Sequence, residues 1–535
     1  MRPSLVAVAL VAVASIGLGA RPGAAQNVPV FDLILRNGRV VDGTGSPWYR
    51  ADVAIRGGLI AAVGPTIQGT ARREIDVGGR VIAPGFVDVH SHGGSGIFEV
   101  PTADNYIRQG VTTLIAGPDG SSALPLGPWL DSLSALPRTL NMGSMVGQGT
   151  IRSTVIGSVN RPATAGEIER MRALAEQAMR DGALGLSTGL FYVPGTFTST
   201  EEVIELARVV GRLGGIHVSH MRNEAAGVVE SVLETIRIGE EGGLPTQVTH
   251  HKVIGPGYWG ASVQTLRLID EARARGVDAT IDAYPYTASA TSIHAALLPS
   301  WALEGGLQRT RERLADPAQR ARIRDESARI IDLERGGDNP DNVVISNCSW
   351  DASLAGKTLG DVMELRGLEE SLHGAAEAAF WLTEQGGCGG VFHAISEDDL
   401  VRVLRHPSTM VASDGDVIVF GRAHPHPRSY GTFARVLGEY VRERGVVSLE
   451  EAIRKMSAFP AQRMGLHDRG LIRPGLAADI AVFDPAEVRD TATFEEPHRY
   501  AEGFLLVVVN GEVVLEGSSL TDARPGRVLY GPARR

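Results

Sequence analysis

Short apolar runs separated by turn residues mark both ends of the chain. Near the start, "FDLILRNGRVVDG" and "ADVAIRGGLIAAVG" alternate apolar and polar positions, and pairs such as Asn37-Gly38 and Gly57-Gly58 are typical of hairpin turns. The same pattern of apolar runs and turn residues occurs near the other end of the chain, in "ADIAVFDP" and "GFLLVVVNGEVVLEG". We therefore predict one small β domain that is assembled from residues 31–82 and 469–520.

The middle of the chain, residues 83–468, follows a longer pattern. Helical stretches such as "EIERMRALAEQAMRDG" and "TEEVIELARVVGRLGG" each precede an apolar, strand-like run, "ALGLSTG" and "IHVSH". Repeated helix-then-strand units with polar residues at the strand ends favour a parallel (β/α)8 TIM-like barrel, and a doubly wound open sheet is the alternative. A segment at about 293–390 interrupts this rhythm and is predicted to be an insertion before the last barrel strand.

Composition and charge exclude some partners. The 535 residues carry a formal net charge of −10 and are 43% hydrophobic, so we expect an ordinary globular protein that does not bind nucleic acid. Nothing in the sequence indicates an oligomeric state. The only cysteines, Cys348 and Cys388, allow one disulfide in an oxidising compartment, and the sequence leaves open whether they pair.

The first 25 residues have the features of a targeting segment. Arg2 is followed by an apolar stretch and then by small residues up to Ala25. This pattern predicts a secretory signal peptide over residues 1–25, cleaved after Ala25, with an uncleaved membrane anchor as the alternative. We therefore expect export to the periplasm or the medium and no other association with a membrane.

The stretch "PGFVDVHSHGGSG" places two imidazoles at the end of a predicted strand. Side chains alternate along an extended chain, so Asp88, His90 and His92 point to the same side. Other predicted strands of the barrel end in carboxylate, imidazole, amine or phenol groups: Asp119, His220, His250, His251, Lys252, Asp282, Tyr284, Tyr286 and Asp414. Because a barrel brings the carboxyl ends of its strands to one mouth, this set predicts a divalent metal ion that polarises a carbonyl and activates water.

Two further motifs match other chemistries. "GLSTG" fits the nucleophile pattern G-x-S-x-G around Ser187, but such a serine needs a helix directly after it, and Pro194 and Gly195 interrupt one. "GPGYWG" (255–260) fits the dinucleotide pattern G-x-G-x-x-G, so a dinucleotide-dependent oxidoreductase is kept as a less favoured alternative. We interpret these glycines as a loop over the barrel mouth.

Several motifs together resemble those of the D-aminoacylase (N-acyl-D-amino-acid deacylase) family within the amidohydrolase superfamily. They include "GGRVIAPGFVDVHSH", "GALGLSTGLFYVPG", "HVSHMRNE", "THHKVIGPGYWG", "DAYPYTASAT", "VASDG" and "HPHPRSYGTFARVLGEYVRERG". The resemblance runs from about residue 31 to about residue 515. It implies a barrel with a terminal β-sandwich, and zinc-dependent hydrolysis of N-acyl-D-amino acids to a carboxylate and a free amino acid.

The resemblance also implies roles for individual residues. His220 and His250 would bind the tightly held metal ion and His90 and His92 a second, weaker one, with His251 as the alternative to His250. Asp414 would be the general base. The residues implied to bind substrate are Lys252, Tyr192, Tyr284, Tyr286, Ser289 and Arg428, the last of them through the substrate carboxylate.

One position departs from the family pattern. Well-known members have a cysteine where this chain has Asp119, in "GPDGSS". A carboxylate is a harder ligand than a thiolate and also binds oxygen-preferring metals, so we expect one or two Zn²⁺ ions with other divalent metals as alternatives. The alternative activities are the opening of a cyclic amide or the cleavage of a dipeptide. A catalytically silent, assembly-forming relative is disfavoured because every expected strand end still offers a ligand.

Overall fold

The computed structural model describes residues 30–534, so the predicted signal peptide at 1–25 lies outside the described residues. Its strands are β1 (Val30–Val40), β2 (Tyr49–Arg56), β3 (Leu59–Gly64), β4 (Thr70–Asp76), β5 (Val81–Pro84), β6 (Phe86–Asp88), β7 (Val111–Ala116), β8 (Asn141–Ser144), β9 (Val146–Gly147), β10 (Gly185–Gly189), β11 (Ile216–His220), β12 (Thr246–Val248), β13 (Ala279–Ala283), β14 (Ala288–Ser292), β15 (Val343–Asn347), β16 (Gly389–His393), β17 (Thr409–Val411), β18 (Ile480–Phe483), β19 (Phe504–Val509), β20 (Glu512–Glu516) and β21 (Ser519–Leu520).

The α-helices alternate with the central strands. They are α1 (Gly96–Glu99), α2 (Asp104–Ile107), α3 (Leu126–Ala135), α4 (Gln148–Val155), α5 (Ala165–Asp181), α6 (Thr200–Arg212), α7 (Val228–Gly242), α8 (Ser262–Ala274), α9 (Ile293–Leu297), α10 (Leu307–Ala315), α11 (Pro317–Ile330), α12 (Leu359–Arg366), α13 (Leu372–Gln385), α14 (Glu397–Arg405), α15 (Arg428–Arg435), α16 (Leu449–Met456) and α17 (Ala458–Arg463). Among the helices of residues 30–534, none has both the length and the apolarity that a membrane span needs.

Parallel strands form a closed ring in the centre of the molecule. Strands β9, β10, β11, β12, β13 and β17 pair in sequence, and β6, β7 and β8 form a second parallel set. Only Met145 separates β8 from β9, and it donates its backbone N–H to the carbonyl of Ala116 in β7. At the other seam His92 N–H donates to Gly415 O at 2.7 Å and Asp414 N–H to His90 O at 3.0 Å. The ring therefore has eight strand positions, and the α/β class predicted from the sequence is confirmed.

Helix α5 shows how the sequence specifies the outer layer. Thr164 and Glu167 form a capping box at its start, each side chain accepting a backbone N–H of the other residue. The residues Met171 and Met179, two turns apart on one face, are buried against the barrel strands. The helix ends at Gly182, whose φ of 123° is a conformation that side chains other than glycine rarely adopt.

Strands from both ends of the chain join in one mixed sheet of nine strands. Its path runs β21-β20-β19-β18-β5-β1-β2-β3, with β4 pairing β1, and the antiparallel pair of β18 and β5 links the two ends. The buried carboxylate of Asp479 ties this sheet to the barrel, because it accepts from Asn510 N at 2.7 Å and from Asn141 Nδ2 of β8 at 3.1 Å. Whether this sheet folds into the two facing layers of a sandwich stays a prediction.

The segment between β13 and β17 forms a small unit with its own core. Strands β14, β16 and β15 make an antiparallel sheet, and α9 to α13 pack on it around buried residues such as Phe380 and Phe392. The unit runs from residue 288 to 393, a few residues beyond the predicted limits of 293 and 390. Cys348 and Cys388, next to β15 and β16, form a disulfide with their Cα atoms 4.5 Å apart.

Candidate metal centre and active site

The predicted ligands lie together where barrel strands end. His220 is the last residue of β11, and the others follow their strands within a few residues. These six side chains are His90 and His92 after β6, Asp119 after β7, His220, His250 after β12 and Asp414 after β17. The side chain of His92 is 40% exposed and that of Asp119 is 8% exposed, and the other four residues are buried. The barrel topology thus brings residues that are distant in the sequence close together in one cluster.

The cluster has two halves that share one carboxylate. In the first half, His92 Nε2 is 3.1 Å from Asp414 Oδ1, and His90 Nε2 is 3.4 Å from both Asp414 Oδ1 and Asp119 Oδ1. In the second half, Asp119 Oδ2 is 3.7 Å from His220 Nδ1, and its Oδ1 is 3.5 Å from His250 Nε2. Asp119 therefore belongs to both groups of potential ligand atoms.

The donor atoms fit one or two divalent ions. His90 Nε2 and Asp119 Oδ1 are buried and have no hydrogen-bond partner among the described residues. Buried polar atoms normally have a partner, so such unpartnered atoms need an explanation. Imidazole nitrogen and carboxylate oxygen are ligands that Zn²⁺ accepts, and carboxylate oxygen also suits Mn²⁺. A metal ion satisfies both atoms at once.

Three of these residues adopt a left-handed backbone. The φ angles are 53° at Asp119, 35° at His250 and 51° at Asp414, a region in which residues other than glycine are uncommon. Such conformations persist only where the surroundings impose them, and they concentrate at functional sites. The turn at each strand end directs the side chain of that residue towards the mouth of the barrel.

Hydrogen bonds from neighbouring strands hold these turns. Ser187 Oγ donates to Gly117 O at 2.6 Å and accepts from Gly120 N, so it fixes the loop that carries Asp119. Asp282 Oδ1 accepts the backbone N–H of His250 at 2.7 Å. Ser187, buried in the middle of β10, is therefore a support for the metal cluster and has none of the exposure that a nucleophile requires.

The backbone turn also decides between the two adjacent histidines. His251 points away from the cluster, and its Nε2 lies 2.7 Å from Thr265 Oγ1 of α8. Burial lowers the pKa of His251 to about 4, so its ring is neutral. His250 faces Asp119, and the alternative assignment of His251 as the ligand is not supported by the geometry.

A buried acid–base pair lies behind His250, and the sequence reasoning missed its acidic member. Glu224 Oε1 is 3.2 Å from His250 Nδ1 and 2.6 Å from Lys252 Nζ. Burial alone would raise the pKa of Glu224, but the charges of Lys252 and His220 hold it well below its usual value. A carboxylate on the far nitrogen of a ligating histidine orients the ring and raises its basicity. The available signal was the position of Glu224, four residues after His220 in "HVSHMRNE".

The predicted general base has a cation beside it. Arg428 Nη1 lies 2.9 Å from Asp414 Oδ2, and both side chains are buried. Burial alone would raise the pKa of Asp414, but the charges of Arg428 and His90 hold it well below its usual value. Arg428, which is predicted to bind the substrate carboxylate, therefore also contacts Asp414. The sequence did not indicate this contact.

A cavity of about 540 Å³ opens onto the cluster. Four of the residues predicted to bind substrate line it: Tyr192, Lys252, Ser289 and Arg428. The hydroxyl of Ser289 has no hydrogen-bond partner among the described residues, whereas that of Tyr192 accepts from Thr291 at 3.0 Å. The cavity therefore gives a small molecule access to the potential ligand atoms.

The two tyrosines of "DAYPY" lie outside that lining. Tyr284 places its ring 4.8 Å from the guanidinium of Arg428 and 5.7 Å from Lys252 Nζ, so it contacts two residues of the wall. Tyr286, which is also predicted to bind substrate, does not line this cavity. Its hydroxyl donates to Asp490 at 2.7 Å, and that bond holds it away from the cluster.

The glycine-rich stretch 255–260 is a packed loop. Gly255 N–H donates to Ala394 O, and a side chain at Gly255 would lie 2.1 Å from the carbonyl of Leu333 in the inserted unit. Trp259 Nε1 donates to the same carbonyl of Ala394 at 3.1 Å. The backbone of residues 255–260 packs against the inserted unit and therefore does not form a binding loop for a pyrophosphate.

Comparison with known proteins agrees with this architecture. The amidohydrolase family matches residues 73–515, and the chain therefore belongs to that family. Among characterised relatives, the D-aminoacylase of Alcaligenes xylosoxydans xylosoxydans is 37% identical over 522 residues, which cover 93% of this chain and 97% of the relative.

Two solved structures are similar over nearly their whole length. One is a D-aminoacylase described with a binuclear metal centre (37% identity, TM-score 0.80), and the other is the N-acyl-D-glutamate deacylase of Bordetella bronchiseptica in complex with zinc and a phosphonate inhibitor (33% identity, TM-score 0.81). Each comparison covers 94% of this chain and 100% of the other. Within the amidohydrolase family, the chain is thus similar to deacylases of N-acyl-D-amino acids.

Proposed function

We propose that this chain hydrolyses the amide bond of N-acyl-D-amino acids and releases a carboxylate and a free amino acid. The observation that carries the proposal is the convergence of four imidazoles and two carboxylates on a cavity at the barrel mouth. The similarity to a D-aminoacylase over 93% of the chain supports the choice of substrate class.

The centre would hold one or two Zn²⁺ ions. Asp119, His220 and His250 would bind one ion, and His90 and His92 with Asp119 and Asp414 would bind the other. When bound, such an ion supplies Lewis acidity towards a carbonyl oxygen and lowers the pKa of water. The carboxylate of Asp119 also leaves the centre open to oxygen-preferring ions such as Mn²⁺.

The residues of the chain would divide the remaining work. Asp414 takes a proton from the attacking water and delivers it to the nitrogen of the breaking C–N bond, since an amine leaves poorly unless it is protonated. Arg428 holds Asp414 at 2.9 Å and presents further N–H groups to the substrate carboxylate. Glu224 and Lys252 keep the ring of His250 in place.

The test combines metal analysis, a substrate panel and Asp414→Asn. The panel contains N-acetyl amino acids in both enantiomers, a cyclic amide and a dipeptide. We expect hydrolysis of the D enantiomers. Asp414→Asn should lower kcat about 100- to 10,000-fold, because the proton acceptor is lost. The ion bound by Asp119, His220 and His250 should be retained, because Asp414 is not one of its ligands. Turnover of the variant at the wild-type rate would contradict the role of Asp414. Hydrolysis of only the cyclic amide would favour the alternative activity.

We also propose that the protein is exported. The pattern of residues 1–25 and the disulfide between Cys348 and Cys388 support an oxidising compartment. Cell fractionation followed by N-terminal sequencing tests this, with an N-terminus at Gln26 expected. A cytoplasmic protein that retains Met1 would contradict it.

A further inference from the structure

One cation on the wall of the substrate cavity is left unassigned by the proposed mechanism. Arg335 is the last residue of a π-helical turn, Ile331–Arg335, in the inserted unit. Its side chain is almost completely buried in the protein, with 3% of the residue exposed, and it lines the same cavity as Asp119 and His220.

Within the part of the chain that the structure describes, Arg335 forms no ion pair with an acidic residue, although its charge acts at longer range on the neighbouring Glu334. Among residues 30–534 no hydrogen bond or ion pair reaches its guanidinium, and its Nε is a buried donor without an acceptor. The other two cations of the cavity are paired, Lys252 with Glu224 at 2.6 Å and Arg428 with Asp414 at 2.9 Å. Buried charges are normally paired, so the charge of Arg335 calls for an anion from outside the chain.

Aromatic rings hold the guanidinium in position. The ring of Phe191 lies 5.1 Å from its central carbon and the ring of Phe392 lies 5.8 Å away. Such contacts orient a cation without neutralising it. Arg335 is therefore a rigid donor with a fork of N–H groups, the geometry that binds a carboxylate through two hydrogen bonds.

We propose that Arg335 binds a second carboxylate of the substrate, in addition to the α-carboxylate assigned to Arg428. This inference rests on the proposed function and specifies its substrate class as N-acyl amino acids with two carboxylates. Arg428 contacts Asp414, at the reacting centre, whereas Arg335 has no ion pair with any residue of the metal cluster. The second carboxylate belongs either to an acidic amino-acid side chain or to a dicarboxylic acyl group.

The experiment compares three substrates with the metal-loaded enzyme. They are N-acetyl-glutamate, N-succinyl-leucine and N-acetyl-leucine, each in the enantiomer that the wild type hydrolyses. We expect Arg335→Met to lower kcat/KM about 10- to 100-fold for one of the two dicarboxylic substrates, chiefly through a higher KM, because a charged hydrogen bond is lost. N-acetyl-leucine should be hydrolysed as by the wild type, which also shows that the variant folds.

Two further variants sharpen the result. Arg335→Lys keeps the charge but loses the fork, so it should recover part of the affinity. Arg329→Met removes an exposed arginine of the same unit and should change nothing. Whichever dicarboxylic substrate loses affinity identifies the source of the second carboxylate.

The outcomes separate the two proposals. An equal loss on all three substrates would mean that Arg335 binds the α-carboxylate or supports the wall, and the inference would be wrong. Unchanged kinetics on all three would also overturn it. If the wild type hydrolyses none of the three although it contains its metal, the proposed function fails and not only the inference about Arg335.

Discussion

The two halves of the metal cluster are built in different ways. In the first half both imidazoles come from one strand end, two residues apart, and His92 remains 40% exposed. In the second half His220 and His250 come from neighbouring strands and are buried, and Glu224 lies behind His250. A ligand with such a support binds a metal ion more tightly. We therefore expect the second half to retain its ion when the first half loses it.

The largest expected effect comes from the residue that both halves share. Asp119→Ala should lower turnover by more than about 1,000-fold and should reduce the metal content of both halves, because each loses a carboxylate ligand. Mass spectrometry under native conditions and elemental analysis measure the loss. Asp119→Cys is the matched control, since a thiolate is a good ligand for Zn²⁺ and should restore at least one ion. Full metal content in Asp119→Ala would show that the two halves are independent of Asp119.

A smaller effect should be confined to the second half. Glu224→Gln removes the charge that faces His250 and Lys252, so the affinity of this half for its ion should fall about 10- to 100-fold. Competition with a chelator measures the affinity of each ion separately. Glu99→Gln serves as control, because this exposed carboxylate pairs with Arg422. Equal weakening of both ions would contradict the view that the support acts on one half.

The smallest effect is expected at His251, the histidine that points away from the metal cluster. Thr265→Val removes the hydroxyl beside His251 Nε2, and the buried nitrogen then lacks its partner. We expect a loss of about 1–3 kcal/mol in the free energy of unfolding and less than about a twofold change in metal affinity. Urea denaturation and the same chelator competition give both values. A large loss of metal affinity would mean that His251 contributes to the second half after all.

The sequence predicted the parts of the site that regular strands govern. Alternation predicted that His90 and His92, just after β6, lie on one side, and both lie at the mouth. The order of helices and strands predicted the barrel. Alternation does not apply beyond a strand end, where Asp119, His250 and Asp414 have positive φ angles. For this reason the choice between His250 and His251 could not be made from the sequence.

Other contacts depend on packing between elements that are distant in the sequence. Tyr286 was assigned to the substrate cavity because its motif resembles one that lines the substrate cavity in the D-aminoacylase family. Its hydrogen-bond partner Asp490 lies 204 positions further along the chain. Arg335 belongs to the inserted unit, where no repeated pattern indicates which side chains reach the mouth. The pairing of the tail with β8, in which Leu529 donates to Met142 O at 2.8 Å, likewise has no periodic signal.

The seam that closes the barrel has a consequence for the order of folding. His92 and Asp414 are 322 positions apart, whereas His220 and His250 are separated by only 30. Contacts between distant positions form more slowly, because a longer loop must lose more conformational entropy before any contact compensates it. We therefore expect the His220–His250 half to assemble first and the catalytic carboxylate to arrive last. Pulse-labelled hydrogen exchange should then show protection in β11 and β12 before protection at the seam.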